Sequence, residues 1–201
     1  MENKAPRLIL ASGSPRRREL LAELGLVFEA RTPEVEEELE EHLPVQEAVV
    51  TLALRKAESV HAQVPGALVI AADTVVILEG QVLGKPRDEA AARDMLRRLR
   101  GRWHEVVTGL VVMAPDVTRQ GAVTSRVKMR SYSDEELEAY VRSGDPLDKA
   151  GAYAIQNKVF DPVERVEGSW TNVMGLPLDA VYRWLVLLGI QVPARPGQFR
   201  V

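Results

Sequence analysis

Apolar residues along this chain fall into short blocks that switch between strand-like and helix-like spacing. Arg7–Ala11, apolar from Leu8 onward, predicts a buried first strand. Pro15–Leu24 carries Leu20, Leu21 and Leu24 at helical spacing and ends at Gly25, so it predicts a helix. Phe28–Thr32 predicts a short strand, and the acidic stretch Glu34–Glu41 predicts a solvated loop. Val45–Val60 predicts a second helix with Val49, Leu52, Ala53 and Lys56 on one face, closed by Pro65 and Gly66. Ala67–Leu78 holds two apolar stretches that flank Asp73 and Thr74. Glu79-Gly80 is a hairpin turn signal, and Gln81–Leu83 returns from it.

Asp88–Leu99 reads as an amphipathic helix with Asp88 as its N-cap. Arg102–Ala114 and Gly121–Tyr132 alternate like strands, the second with Val123, Val127 and Met129 on one face. Ser133-Asp-Glu-Glu136 has the form of a capping box for a helix ending near Arg142. Gly151–Gln156 and Val163–Val166 read as short strands, and Leu178–Leu188 as a last amphipathic helix. Residues 1–6 and 190–201 read as mobile tails. Helices alternate with strands, so the predicted class is α/β with a mixed sheet and flanking helices.

Composition narrows the function classes. The 201 residues fit one domain, or two lobes sharing a core. A net charge of −3 argues against broad coating of nucleic acid or anionic membrane. There is no cysteine, which excludes disulfides, thiolate nucleophiles and Cys-ligated zinc and fits a cytosolic protein. Neither a signal peptide nor an apolar run long enough to span a bilayer is expected. His42, His61 and His104 are scattered and lack metal-ligand spacing.

The candidate chemistry begins at the first strand-to-helix turn. Ser12, Gly13 and Ser14 leave backbone N–H groups uncrowded, and Pro15 suits the first helical position. Arg16, Arg17 and Arg18 follow at once. Basic residues oppose the macrodipole at a helix N-terminus, and a bound anion would resolve that conflict. Guanidinium groups match phosphate oxygens, so the turn suggests a phosphate site, with a solvated surface helix as the plain alternative.

Asp73 interrupts an apolar strand. It is either a buried carboxylate satisfied locally, or a metal ligand or general base. Lys85 follows a short hairpin and is either a surface lysine or a cation folded back beside Asp73. Lys56 sits at an inward helical position, so it either snorkels out or points into a site. Among Glu36, Glu37 and Glu38, one could supply an oxygen to a hard cation, although such runs are commonly solvated. Gln156 ends a segment of small residues and is either the polar end of a strand after a structural turn, or a donor and acceptor for a base edge.

Five segments together resemble the Maf family of nucleoside triphosphate pyrophosphatases. They are Leu10-Ala-Ser-Gly-Ser-Pro-Arg-Arg-Arg-Glu-Leu-Leu21, Ala72-Asp-Thr-Val-Val76, Leu83-Gly-Lys-Pro86, Asp148-Lys-Ala-Gly-Ala-Tyr-Ala-Ile-Gln156 and Gly168-Ser-Trp-Thr-Asn-Val-Met-Gly-Leu-Pro-Leu178. The fourth is similar to the branch acting on dTTP and UTP. Asn157-Lys-Val-Phe-Asp-Pro162 departs from the glycine-rich run that often follows in the family.

The resemblance implies two lobes around a deep cleft, distantly like the inosine triphosphate pyrophosphatases, and a cytoplasmic homodimer. It implies hydrolysis of a nucleoside triphosphate to the monophosphate and pyrophosphate with Mg²⁺ or Mn²⁺, without nucleic acid or membrane partners. By the same resemblance Ser14, Arg16, Arg17 and Lys56 bind phosphates, and Asp73 is the proton acceptor. Lys85 is the site lysine, Thr74 and Gln156 bear on substrate choice, and Asp73 with Glu37 faces the metal. Two rivals stand beside this reading. One is a non-catalytic nucleotide-binding regulator of septum formation. The other is a phosphotransferase, which needs an acceptor site that the sequence does not display.

Overall fold

The computed structural model describes residues 7–197. The whole of the expected N-terminal tail, residues 1–6, and residues 198–201 of the expected C-terminal tail lie outside the described residues. The chain is a mixed α/β protein with a seven-stranded sheet in the order β2-β1-β3-β5-β6-β7, and β4 pairs with β3. The strands are β1 (Leu8–Ala11), β2 (Glu29–Arg31), β3 (Leu68–Leu78), β4 (Gln81–Leu83), β5 (Trp103–Met113), β6 (Thr118–Met129) and β7 (Val163–Glu167). The helices are α1 (Pro15–Ala22), α2 (Val45–Gln63), α3 (Glu89–Leu99), α4 (Asp134–Arg142), α5 (Trp170–Val173) and α6 (Leu178–Leu187). No helix among the described residues is long and apolar enough to cross a membrane.

The chain divides into two compact units. Among the described residues, the first comprises residues 7–73, 108–123 and 175–197. In it β1 runs parallel to both β2 and β3, with Leu10 opposite Ala30 and Ile70. All four residues of β1 are buried, as a strand covered on both faces requires. Helix α2 turns Ala53, Ala57 and Val60 into a core with Ile9, Val69, Ala71 and Val111. Gly109 of β5 is what lets α2 come close. A Cβ there would lie 2.2 Å from the carbonyl oxygen of Val49, inside the helix backbone itself. Near the end of the described chain, the Ala194 N–H donates to the Leu24 carbonyl at 3.1 Å.

The second unit comprises Thr74–Val107 and Thr124–Met174. Its core joins Leu96 and Leu99 of α3 to Leu137 and Val141 of α4, and to Val127 and Met129 of β6. Local signals set these elements. The Asp88 carboxylate caps α3 by accepting from the Ala91 N–H at 2.8 Å. Both bonds of the Ser133–Glu136 capping box are present at α4. Glu79 and Gly80 both take positive φ in the β3–β4 turn, as a tight two-residue hairpin demands.

One expected strand is absent. Gly151–Gln156 forms no strand but continues two 3-10 turns, Asp145–Asp148 and Ala150–Ala152, into an irregular segment. Gly151 and Ala152 have φ of 68° and 58°, and a strand cannot pass through two left-handed residues. The expected face of β6 also contains Ser125, which is buried and donates to the Ser169 carbonyl at 3.0 Å. Helix α5, begun by its Ser169 cap, had no counterpart among the expected elements.

Candidate active site

Strand β1 ends at Ala11 and the chain turns directly into α1. Ser14 is the N-cap: its side chain accepts from the Arg17 N–H at 3.5 Å, and its own N–H donates to Ser12 Oγ at 3.1 Å. Pro15 occupies the first turn, where a missing N–H costs nothing. Arg16 and Arg17 are half-buried, whereas Arg18 is exposed. Arg17 is anchored by Nε, which donates to the Gly175 carbonyl at 2.7 Å. Burial pulls its guanidinium below the usual arginine range, while the charges of Asp73 and Glu37 oppose that shift. The cation at this helix start is thus offset by carboxylates of the protein as well as by any anion that binds.

Lys56 lies on α2 two turns beyond Val49, on the face that Gly109 allows to pack down. It points inward and is only 2 % exposed. Its Nζ donates to Asp73 Oδ1 at 2.7 Å and to Glu37 Oε1 at 2.6 Å. A buried ammonium needs such partners, because an unpaired one is strongly disfavoured. Asp73 ends the first of its unit's three segments, part-way along β3, with a side chain 15 % exposed. Glu37 reaches in from the acidic loop and stays 56 % exposed.

Ser14, Arg16, Arg17, Glu37, Lys56 and Asp73 therefore belong to one unit. Lys56, Asp73 and Glu37 are in direct contact, and Arg17 is coupled to both carboxylates through its charge. Thr74, Lys85 and Gln156 belong to the other unit. Thr74 follows Asp73 in β3 and is half-buried; Lys85 and Gln156 are exposed. The chain next to Lys85 is fixed by a bond from the Gly151 N–H to the Gly84 carbonyl at 3.1 Å.

The carboxylates suit a hard divalent cation. One oxygen from Asp73 and one from Glu37 converge on a single ammonium nitrogen, so they already share the coordination of one positive centre. Among the described residues no group of three or more His, Cys, Asp or Glu side chains forms a complete metal centre. Two carboxylates completed by substrate phosphate oxygens is the usual arrangement for Mg²⁺.

A family profile described as Maf-like protein matches residues 7–188. The chain belongs to the Maf-like protein family. A dTTP/UTP pyrophosphatase of Moorella thermoacetica is 47% identical over 191 residues, covering 94% of this chain and 98% of the relative. A dTTP/UTP pyrophosphatase of Dictyoglomus turgidum is 48% identical over 175 residues, covering 85% and 90%. The solved Ham1 protein of Staphylococcus aureus superposes with a TM-score of 0.44 at 18% identity, over 62% of this chain and 72% of that one.

Sequence reasoning singled out the Maf-like segments but missed the polar network behind one of them. Lys149, inside the segment 148–156, is buried and gives its Nζ to Asp145 Oδ1 at 2.9 Å and to Asp148 Oδ1 at 2.6 Å. The carbonyl of Gly175, which receives Arg17, was equally hidden. Gly175 lies within the last Maf-like segment, and that membership was its only signal.

Proposed function

We propose that this protein is a nucleoside triphosphate pyrophosphatase that cleaves dTTP and UTP between the α- and β-phosphates, releasing the monophosphate and pyrophosphate. The observation that carries the reading is the Lys56–Asp73–Glu37 cluster beside the capped, arginine-bearing start of α1. The names of the Maf-like relatives supply the substrate class. A protein that only binds nucleotide has no use for two carboxylates held on one buried cation.

The roles follow from the chemistry of each group. The α1 N-terminus and Arg16 bind phosphate oxygens, and Arg17, tethered to Gly175, holds positive charge next to the carboxylates. Lys56 fixes Asp73 by Oδ1 and so turns Oδ2 toward an attacking water, whose proton it accepts. The water oxygen forms a bond to the α-phosphorus as the bond to the bridging oxygen breaks, and the electron pair leaves with pyrophosphate. Lys85 is a further cation for the developing charge. Mg²⁺ or Mn²⁺ held by Asp73 and Glu37 would supply neutralisation of the phosphate oxygens. Gln156 and Thr74 select the base. The same reading carries a homodimer and a cytosolic setting.

The test is incubation with a panel of nucleoside triphosphates and Mg²⁺, followed by separation of products. Monophosphate with pyrophosphate, fastest from dTTP and UTP, is the expected result. Diphosphate with orthophosphate overturns the bond assignment, and tight binding without turnover favours a regulator.

A further inference from the structure

Gln156 is exposed, yet the chain on both sides of it is tied by hydrogen bonds and close packing within the second unit. Upstream, Gly151 sits so close to β3 that a Cβ there would meet the Val76 side chain at 3.0 Å. Downstream, Asn157 Nδ2 donates to Asp145 Oδ2 at 3.1 Å. Its Oδ1 accepts from the N–H groups of Phe160 and Val159, at 2.8 and 3.1 Å. One side chain thus ties the residue after Gln156 to its own turn and to a distant carboxylate.

That carboxylate is itself heavily engaged. Asp145 Oδ2 also accepts from the Tyr140 hydroxyl at 2.7 Å, and Oδ1 accepts from Lys149 Nζ. The Tyr140 oxygen in turn accepts from the Ala154 N–H at 3.0 Å, two residues before Gln156. The Tyr140 ring stacks on Phe160 with centroids 4.2 Å apart. Burial opposes ionisation of Asp145, but hydrogen bonds from Lys149, Tyr140 and Asn157 outweigh it and hold the carboxyl below its usual range. Residues 154 and 157 therefore converge on one charged centre, and Gln156 is the exposed side chain between them.

We infer that Asp145, Tyr140 and Asn157 are positioning residues for base selection: they fix the backbone that presents Gln156, and so set discrimination between bases. The inference rests on the proposed role of Gln156 in reading the base. Uracil and thymine present an acceptor at the 4-position where cytosine presents a donor, so an amide held in one orientation separates them. An amide on a loosened backbone can rotate or shift to satisfy either.

The experiment compares kcat/KM for dTTP, UTP and CTP in wild type, Gln156→Ala, Asn157→Asp, Tyr140→Phe and Lys158→Ala. Asn157→Asp keeps Oδ1 for the turn but sets a second carboxylate oxygen against Asp145. Tyr140→Phe keeps the stacked ring and removes only the hydroxyl. Circular dichroism confirms folding, and the two variants act from opposite ends of the network. A hydrogen bond to a charged group favours the arrangement it holds by roughly tenfold or more, and loss of that bias sets the size of the expected fall in discrimination. The UTP-to-CTP ratio should therefore fall about that far in Asn157→Asp and Tyr140→Phe, with Lys158→Ala unchanged. If Gln156→Ala lowers the ratio while both network variants leave it within about twofold of wild type, the positioning role is wrong and base reading by Gln156 stands. If Gln156→Ala leaves the ratio unchanged, the base-reading role fails and the positioning role falls with it.

Discussion

Removal of Lys56 is the most revealing perturbation. The Lys56 side chain is 3 % exposed and bonds to two carboxylates whose surroundings differ. Asp73, at 15 % exposure, is poorly screened, whereas Glu37, at 56 %, is largely in water. Breaking a buried pair costs about 3–5 kcal/mol, and an exposed pair contributes at most about 1. Arg17 stays near both carboxylates and relieves part of the loss, so the Lys56–Asp73 coupling should be about 2 kcal/mol. The Lys56–Glu37 coupling should be below about 1 kcal/mol. Two double-mutant cycles resolve these terms, Lys56→Met with Asp73→Asn and Lys56→Met with Glu37→Gln. Each is read by urea unfolding with EDTA present, so that no metal replaces the ammonium. A coupling to Asp73 no larger than the coupling to Glu37 would refute the reasoning, because burial would then not decide which pair matters.

Three further outcomes are expected. Adding Mg²⁺ should raise the melting temperature of Lys56→Met more than that of wild type, since the two carboxylates then lack their ammonium; an equal rise counts against a shared cation site. His104, buried and hydrogen-bonded by Nε2 to the Tyr153 hydroxyl at 2.8 Å, has its pKa pushed down from 6.5 to about 4 by burial. Between those values the unfolded chain binds the extra proton, so stability is full above pH 6.5 and falls as pH drops, by roughly 2 kcal/mol from pH 7 to pH 5. His104→Gln should flatten that slope, and an unaltered slope places the effect elsewhere. Gly109→Ala sets a Cβ against the Val49 backbone at 2.2 Å, where no rotamer change gives relief. It should cost at least about 3 kcal/mol in denaturant unfolding and displace Lys56, and a loss under about 1 would contradict the close helix–strand approach.

Local signals carried much of the fold. A capping box, an N-cap and a hairpin turn each need only a few neighbouring residues, and all three stand where the residues foretell. The segment 151–156 misled because its small apolar residues mimic a strand, while Ala152 in a left-handed conformation leaves no signature in sequence. The burial of Ser125 on the apolar face of β6 leaves no sequence signal for a related reason: its partners, Ser169 and Asn172, are more than forty residues away. In the site, Lys56 could be read as inward from its helical position, and Asp73 as costly inside an apolar strand. Choosing Glu37 from three adjacent glutamates took the family resemblance, and the contact itself depends on how an irregular loop folds back. The Asp145–Asn157 bond and the Arg17–Gly175 bond join distant parts of the chain, and no periodicity announces them.

The central claim is attack by water on the α-phosphorus, and hydrolysis of dTTP in ¹⁸O-labelled water with Mg²⁺ tests it directly. The account predicts one ¹⁸O atom in the thymidine monophosphate and none in the pyrophosphate, with incorporation collapsing in Asp73→Asn by at least ~10²-fold in rate. Label in the pyrophosphate, or unimpaired turnover in folded Asp73→Asn, would contradict it.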